Sequence, residues 1–132
     1  MLPLQYPGRW RAANWLLLSS VFLLAIVPAI WATDAMPGWT GLDKWLHGLT
    51  FAVLALWMTG QYARDSYGWI LLGLALYGAL IEVGQSMIPY RSAEWGDLAA
   101  DLAGLLAGML VALFATGGWS LHAENWLKNR FG

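Results

Sequence analysis

Eight polar side chains, set in a chain that is otherwise largely apolar, have the types and spacing to do chemistry: Asp43, Lys44 and His47, then Glu82, Gln85 and Arg91, then Asp97 and Asp101. The stretch from Glu82 to Asp101 alone carries four of the chain's eight acidic residues. His47 can exchange a proton near neutral pH. With Glu82 and Asp101 as acid–base groups of the right type, these three are the candidate catalytic residues. Lys44 and Arg91 together can hold an anion, and a guanidinium matches the two oxygens of a phosphate or carboxylate. Asp43, Lys44, Gln85, Arg91 and Asp97 therefore form the candidate substrate-binding set. The same oxygens plus His47 could ligate a divalent cation, but neither Asp-x3-His nor Asp-x3-Asp is a specific metal signature, and no metal is assigned. Nothing in the sequence names a cofactor. There is no cysteine, no glycine-rich phosphate loop after a strand and no Gly-x-Ser-x-Gly elbow.

Such residues need a scaffold, and composition says which kind. The 132 residues are 59% hydrophobic and 11% charged, far below the roughly 25% charged content of an average soluble domain. A membrane protein of one domain, residues 1–132, is the expectation. The net charge of -1 and the scattered basic residues argue against nucleic acid. Apolar runs long enough to cross a hydrocarbon core about 30 Å thick fall near Asn14 to Trp31, Trp45 to Tyr62, Tyr67 to Ile88 and Leu98 to Thr116. The first is read as an uncleaved helix and not a signal peptide, because no good small-x-small site follows it. Breaks at Asp34–Gly38, Arg64–Ser66 and Pro89–Ser92 separate the runs. The predicted fold is an all-α membrane protein, an antiparallel four-transmembrane-helix bundle. A short interfacial helix over 119–131 follows, with Trp119, His122, Ala123, Trp126 and Leu127 on one face. Arg9, Arg11, Arg64, Lys128 and Arg130 share one side of this topology, against Lys44 and Arg91 on the other, so both termini are expected in the cytoplasm.

The topology brings the start of the second run to the end of the third and the start of the fourth, all on the extracytoplasmic side. Helical spacing groups Asp43 with His47, Gly78 with Glu82 and Gln85, and Asp97 with Asp101, Gly104 and Gly108. Gly104 and Gly108 form a GxxxG stripe that lets a neighbouring helix approach, inside one bundle or between two protomers, and Gly78 does the same beside Glu82. A carboxylate at mid-span costs roughly 2.5–3.5 kcal/mol on insertion scales, so these groups must have partners, water or a task. Salt bridges that merely register the helices would use one or two such contacts; eight residues argue for a site.

The ordered set Asp43-Lys-x-x-His47, Glu82-x-x-Gln85-x-x-x-Pro89-x-Arg91 and Asp97-x-x-x-Asp101-x-x-Gly104-x-x-x-Gly108 resembles the VanZ-like family of small bacterial membrane proteins. It departs from that pattern at Asp101, where the family usually has Asn, and at Gly48, where an aromatic often follows the His. The resemblance implies an envelope protein at the outer face of the bacterial inner membrane. The namesake's part in glycopeptide resistance is not carried over. The function expected is binding or modification of an anionic, lipid-linked envelope component, with membrane lipid or an envelope precursor as partner; whether the chain is an enzyme is left open. The alternative is a non-catalytic structural or accessory protein whose charge cluster only stabilises the bundle.

Overall fold

The computed structural model describes residues 1–31, 40–88 and 94–131. Arg91, the Pro89–Ser92 turn and the Asp34–Gly38 break lie outside them. The described residues form five α-helices and no strand: α1 Pro7–Trp31, α2 Thr40–Thr59, α3 Tyr67–Ser86, α4 Trp95–Val111 and α5 Trp119–Phe131. Pro7 opens α1, the position where its missing N–H removes no helical bond. A single turn of 3₁₀-helix, Arg64–Ser66, joins α2 to α3. At its end α4 widens into a π-helical turn, Ala112–Thr116. Gly118, with φ at 76°, then takes the left-handed conformation that glycine tolerates and starts the chain back toward α5.

Beside its apolar core, the chain buries many polar side chains and exposes many large apolar ones, unlike a water-soluble domain. Asn14, Gln61, Glu82, Gln85, Asp97, Asp101 and Glu124 are buried, whereas Trp15, Leu24, Trp45, Leu49, Trp69, Leu76 and Phe114 are exposed. In water an apolar surface of this extent would drive association, and in lipid it is the expected exterior. Two helical segments, Arg64–Ser86 and Trp95–Thr116, are long and apolar enough to cross a membrane. The chain is thus all-helical with two helices of membrane-crossing character.

Within this frame α2 and α4 are the most extensively packed pair, α4 also rests on α3, and α1 packs on α3. Lipid tails are as apolar as leucine, so helix association in a membrane depends on close packing more than on water exclusion. Small residues supply it. A Cβ on Gly104 would fall onto the backbone of Gly48, one on Gly108 would stand 2.5 Å from the Ala52 carbonyl oxygen, and one on Gly48 3.2 Å from that of Ala100. The expected Gly104/Gly108 stripe therefore meets α2 of the same chain. Phe51, Leu54, Ala55, Ile81, Leu105 and Ala112 complete a core among α2, α3 and α4.

Helix α5 packs differently from the face read in the sequence. Its buried residues are Ser120 and Glu124, while His122, Trp126 and Leu127 are exposed. The reason is electrostatic: Glu124 accepts hydrogen bonds from the backbone N–H groups of Gln5 and Tyr6 and from the Trp10 indole, at 2.6, 3.3 and 2.8 Å. Trp126 and Leu127 are exposed, and the Arg130 guanidinium lies over the Trp126 ring.

Candidate functional site

Three helices deliver the candidate residues to one place. The spacing of Asp43 and His47 puts both at the start of α2, and the first turns of α4 carry Asp97 and Asp101. Close α2–α4 packing at Gly48 and Gly104 brings the two starts together. His47 Nδ1 stands 2.9 Å from Asp101 Oδ1. An ionised Asp101 accepts the proton of Nδ1, which leaves Nε2, 4.0 Å from Asp43 Oδ1, as the nitrogen able to exchange one. From the far end of α3 comes Glu82, which accepts the backbone N–H of Glu94 at Oε2, 3.3 Å away. Gly78, one turn earlier, makes the approach feasible: a Cβ there would stand 3.1 Å from both Asp101 Oδ2 and the Phe51 ring.

Burial separates the inner from the outer members. Glu82 is 6% exposed, Gln85 1%, Asp97 2% and Asp101 1%. Glu82 Oε1, Gln85 Oε1 and Asp101 Oδ2 have no hydrogen-bond partner among the described residues. Since almost all buried polar atoms in folded proteins are paired, unpaired oxygens of this kind call for an explanation. Gln85 uses its amide instead, donating to the Ala25 carbonyl at 3.1 Å and so tying α3 to α1. At the rim, Lys44 Nζ lies 2.9 Å from Glu94 Oε2 and 3.5 Å from Asp97 Oδ1.

The structure therefore brings together Asp43, Lys44, His47, Glu82, Asp97 and Asp101, with Gln85 one turn beyond Glu82 on α3; Arg91 lies outside the described residues. Reading the sequence missed Glu94 as a site residue. It engages Lys44 with its side chain and Glu82 with its backbone, and its place three residues before Asp97, at the mouth of α4, was the available signal.

Beside the cluster, a cavity of about 480 Å³ opens between α1, α2 and α3. Asp43, His47, Thr50 and Gln85 line its polar part, and Val21, Leu24, Leu46, Phe51 and Ile81 its apolar part. A ligand suited to it has both a polar head and an apolar body.

Two groups of side chains could hold a cation: His47, Glu82 and Asp101, and Asp43, His47 and Asp97, with one donor atom of each residue within 4.8 Å of the others in its group.

No curated protein and no solved structure matches the chain. The VanZ/LLP1 family model does, over residues 3–116, a span that takes in α1 to α4 and every residue of the cluster. By that match, and by the motifs at Asp43–His47, Glu82–Gln85 and Asp97–Gly108 that it contains, the chain belongs to the VanZ/LLP1 family.

Proposed function

We propose that the chain crosses the bacterial inner membrane four times with both termini in the cytoplasm, and binds the head group of an anionic, lipid-linked envelope component from the outer leaflet. In favour of four crossings, α1 and α2 present the same apolar exterior as the other two helices, with Trp15, Leu24, Trp45 and Leu49 exposed. In favour of the orientation, Arg9 and Arg64 belong to the end where the N-terminal segment, the α2–α3 turn and α5 meet; Arg9 lies over the Tyr6 ring and Arg64 donates to the Leu113 carbonyl. The polar cluster is at the opposite end.

The observation that carries the binding reading is the two-sided cavity next to His47. Its apolar wall suits an acyl or isoprenoid chain, and its polar end is lined by His47, which contacts the buried Asp101, and by Gln85, whose Oε1 has no partner among the described residues. Lys44 supplies charge at the rim in this reading. The Lys44 and Glu94 side chains are 40% and 52% exposed, so an incoming phosphate can take the place of the Glu94 carboxylate at little cost. Arg91 is the second cation of the proposed clamp. With its ring oriented by Asp101, His47 has the means to give or take a proton, and hydrolysis or transfer at a phosphate or ester is the reaction class these residues could support.

A second reading, an accessory protein whose charges only pin the helices, has the His47–Asp101 and Lys44–Glu94 ties between α2 and the start of α4 in its favour. It gives no account of Glu82 Oε1 and Asp101 Oδ2, which have no partner among the described residues, because a buried polar tie stabilises only when its members are satisfied.

The test is mass spectrometry of the lipids that stay with the chain through purification in mild detergent, beside a Lys44→Ala/Arg91→Ala double variant. An anionic lipid-linked species retained by the parent and depleted at least tenfold in the variant is the expected result. Identical lipid in both proteins, or none in either, refutes the reading.

A further inference from the structure

We infer that His47, Glu82 and Asp101 form a binding site for one divalent first-row metal ion, of which zinc is the representative. The inference stands on the ligand geometry and does not need the lipid reading. The three residues come from α2, α3 and α4, and one donor atom of each lies within 4.8 Å of the other two. Two donors bound at about 2.1 Å to a tetrahedral ion stand about 3.4 Å apart, so the group closes on an ion by side-chain shifts of about an ångström. His47 Nδ1 and Asp101 Oδ1, at 2.9 Å, are already near the spacing of adjacent ligands.

Burial and charge point the same way. Asp101 is 1% exposed and Glu82 6%, and each keeps one oxygen without a hydrogen-bond partner among the described residues. Neither makes an ion pair with a lysine or arginine there; Lys44 is held by Glu94 and Asp97. Ionised as ligands, the two carboxylates carry a charge of -2 that one divalent ion cancels, and the ion gives the two oxygens that lack a described partner one at the same time. One imidazole nitrogen with two carboxylate oxygens is a donor set for zinc, manganese or iron(II), and its nitrogen makes it a poor match for magnesium or calcium, which take oxygen ligands. The second group, Asp43, His47 and Asp97, is the weaker candidate, because Asp43 is partly exposed and Asp97 is already paired to Lys44. Its position next to the first makes Asp43 a support for the far side of the His47 ring.

The experiment uses the full chain in detergent micelles, with any affinity tag removed and metal stripped by a chelator. Zinc is titrated and followed by calorimetry and by elemental analysis after dialysis, with magnesium as the contrasting ion. Expected is one zinc per chain, bound at least tenfold more tightly than magnesium, and an affinity lowered at least tenfold by His47→Ala, by Glu82→Gln and by Asp101→Asn, but not by His122→Ala. Should a variant fail to fold, X-ray absorption on the zinc-loaded parent decides, since the inference requires a single imidazole in a shell otherwise of oxygens. No saturable zinc, affinity indifferent to all three substitutions, or a shell with two imidazoles overturns it.

Discussion

The two ends of the helix bundle both bury charge, and they treat it in opposite ways. At the end where the N-terminal segment meets α5, both oxygens of Glu124 are occupied, by the N–H groups of Gln5 and Tyr6 and the Trp10 indole. Nearby, Asn14 and Gln61 exchange two hydrogen bonds of 2.9 and 3.0 Å, and the Trp57 indole donates to Asn14 at 2.7 Å. The Trp10, Trp57 and Trp119 rings close over this network with centroids 5.5–5.7 Å apart. At the other end, Glu82 and Asp101 are as deeply buried, yet each leaves an oxygen without a described partner. A fully satisfied network rigidifies; a partly satisfied one is a cost that folding alone does not repay. On the reading proposed above, polarity inside this bundle has two uses, a fastening at one end and a receptive site at the other. Cavities occur at both ends, about 560 Å³ beside Glu124 and about 480 Å³ beside His47, so the pairing of the polar atoms distinguishes them and volume does not.

If the first end is a fastening, Glu124→Ala breaks it. The substitution strands three donors, and we expect a loss on the order of 2 kcal/mol, read as a melting temperature lower by several degrees in detergent. A variant as stable as the parent would place the fastening elsewhere.

A smaller effect follows with pH. Burial acts to raise the Glu124 pKa, but the hydrogen bonds from Gln5, Trp10 and Tyr6 outweigh it and hold the carboxyl below its ordinary 4.5. Because the folded pKa is depressed, the stabilisation is fully present above the unfolded value and is lost as pH falls through the folded one. Melting temperatures measured through that acid range should fall more steeply for the parent than for Glu124→Gln. Parallel curves for the two would show that the carboxylate does no fastening.

How much of this is legible in the sequence depends on the range of the contact. Helical spacing alone groups Gly78 with Glu82 and Gln85, and Asp97 with Asp101, because i, i+3 and i+4 positions share a face whatever lies opposite. A GxxxG pattern announces a close approach, though not that its partner is Gly48 and Ala52 of the same chain. The fastening end was invisible for a physical reason. Asn14 and Gln61 are far apart in sequence, and the donors to Glu124 include two backbone N–H groups that carry no residue signature. In α5 apolar periodicity groups Trp126 and Leu127 on an interfacial face, but it carries no sign that Ser120 and Glu124 are buried by hydrogen bonds to distant parts of the chain. The π-helical turn at Ala112–Thr116 likewise has no local signal, and Leu113 within it accepts a hydrogen bond from Arg64, far away in the chain.

The sharpest test of the contrast pairs stability with retention of ligand in Asp101→Asn and Glu82→Gln. Both substitutions remove a buried charge and preserve the side chain's shape, so in the metal-free protein the melting temperature should stay within about 3 °C of the parent or rise, while zinc binding is weakened at least tenfold. A melting temperature that falls as far as in Glu124→Ala, with zinc uptake unchanged, would contradict the account and make the His47 end a second fastening.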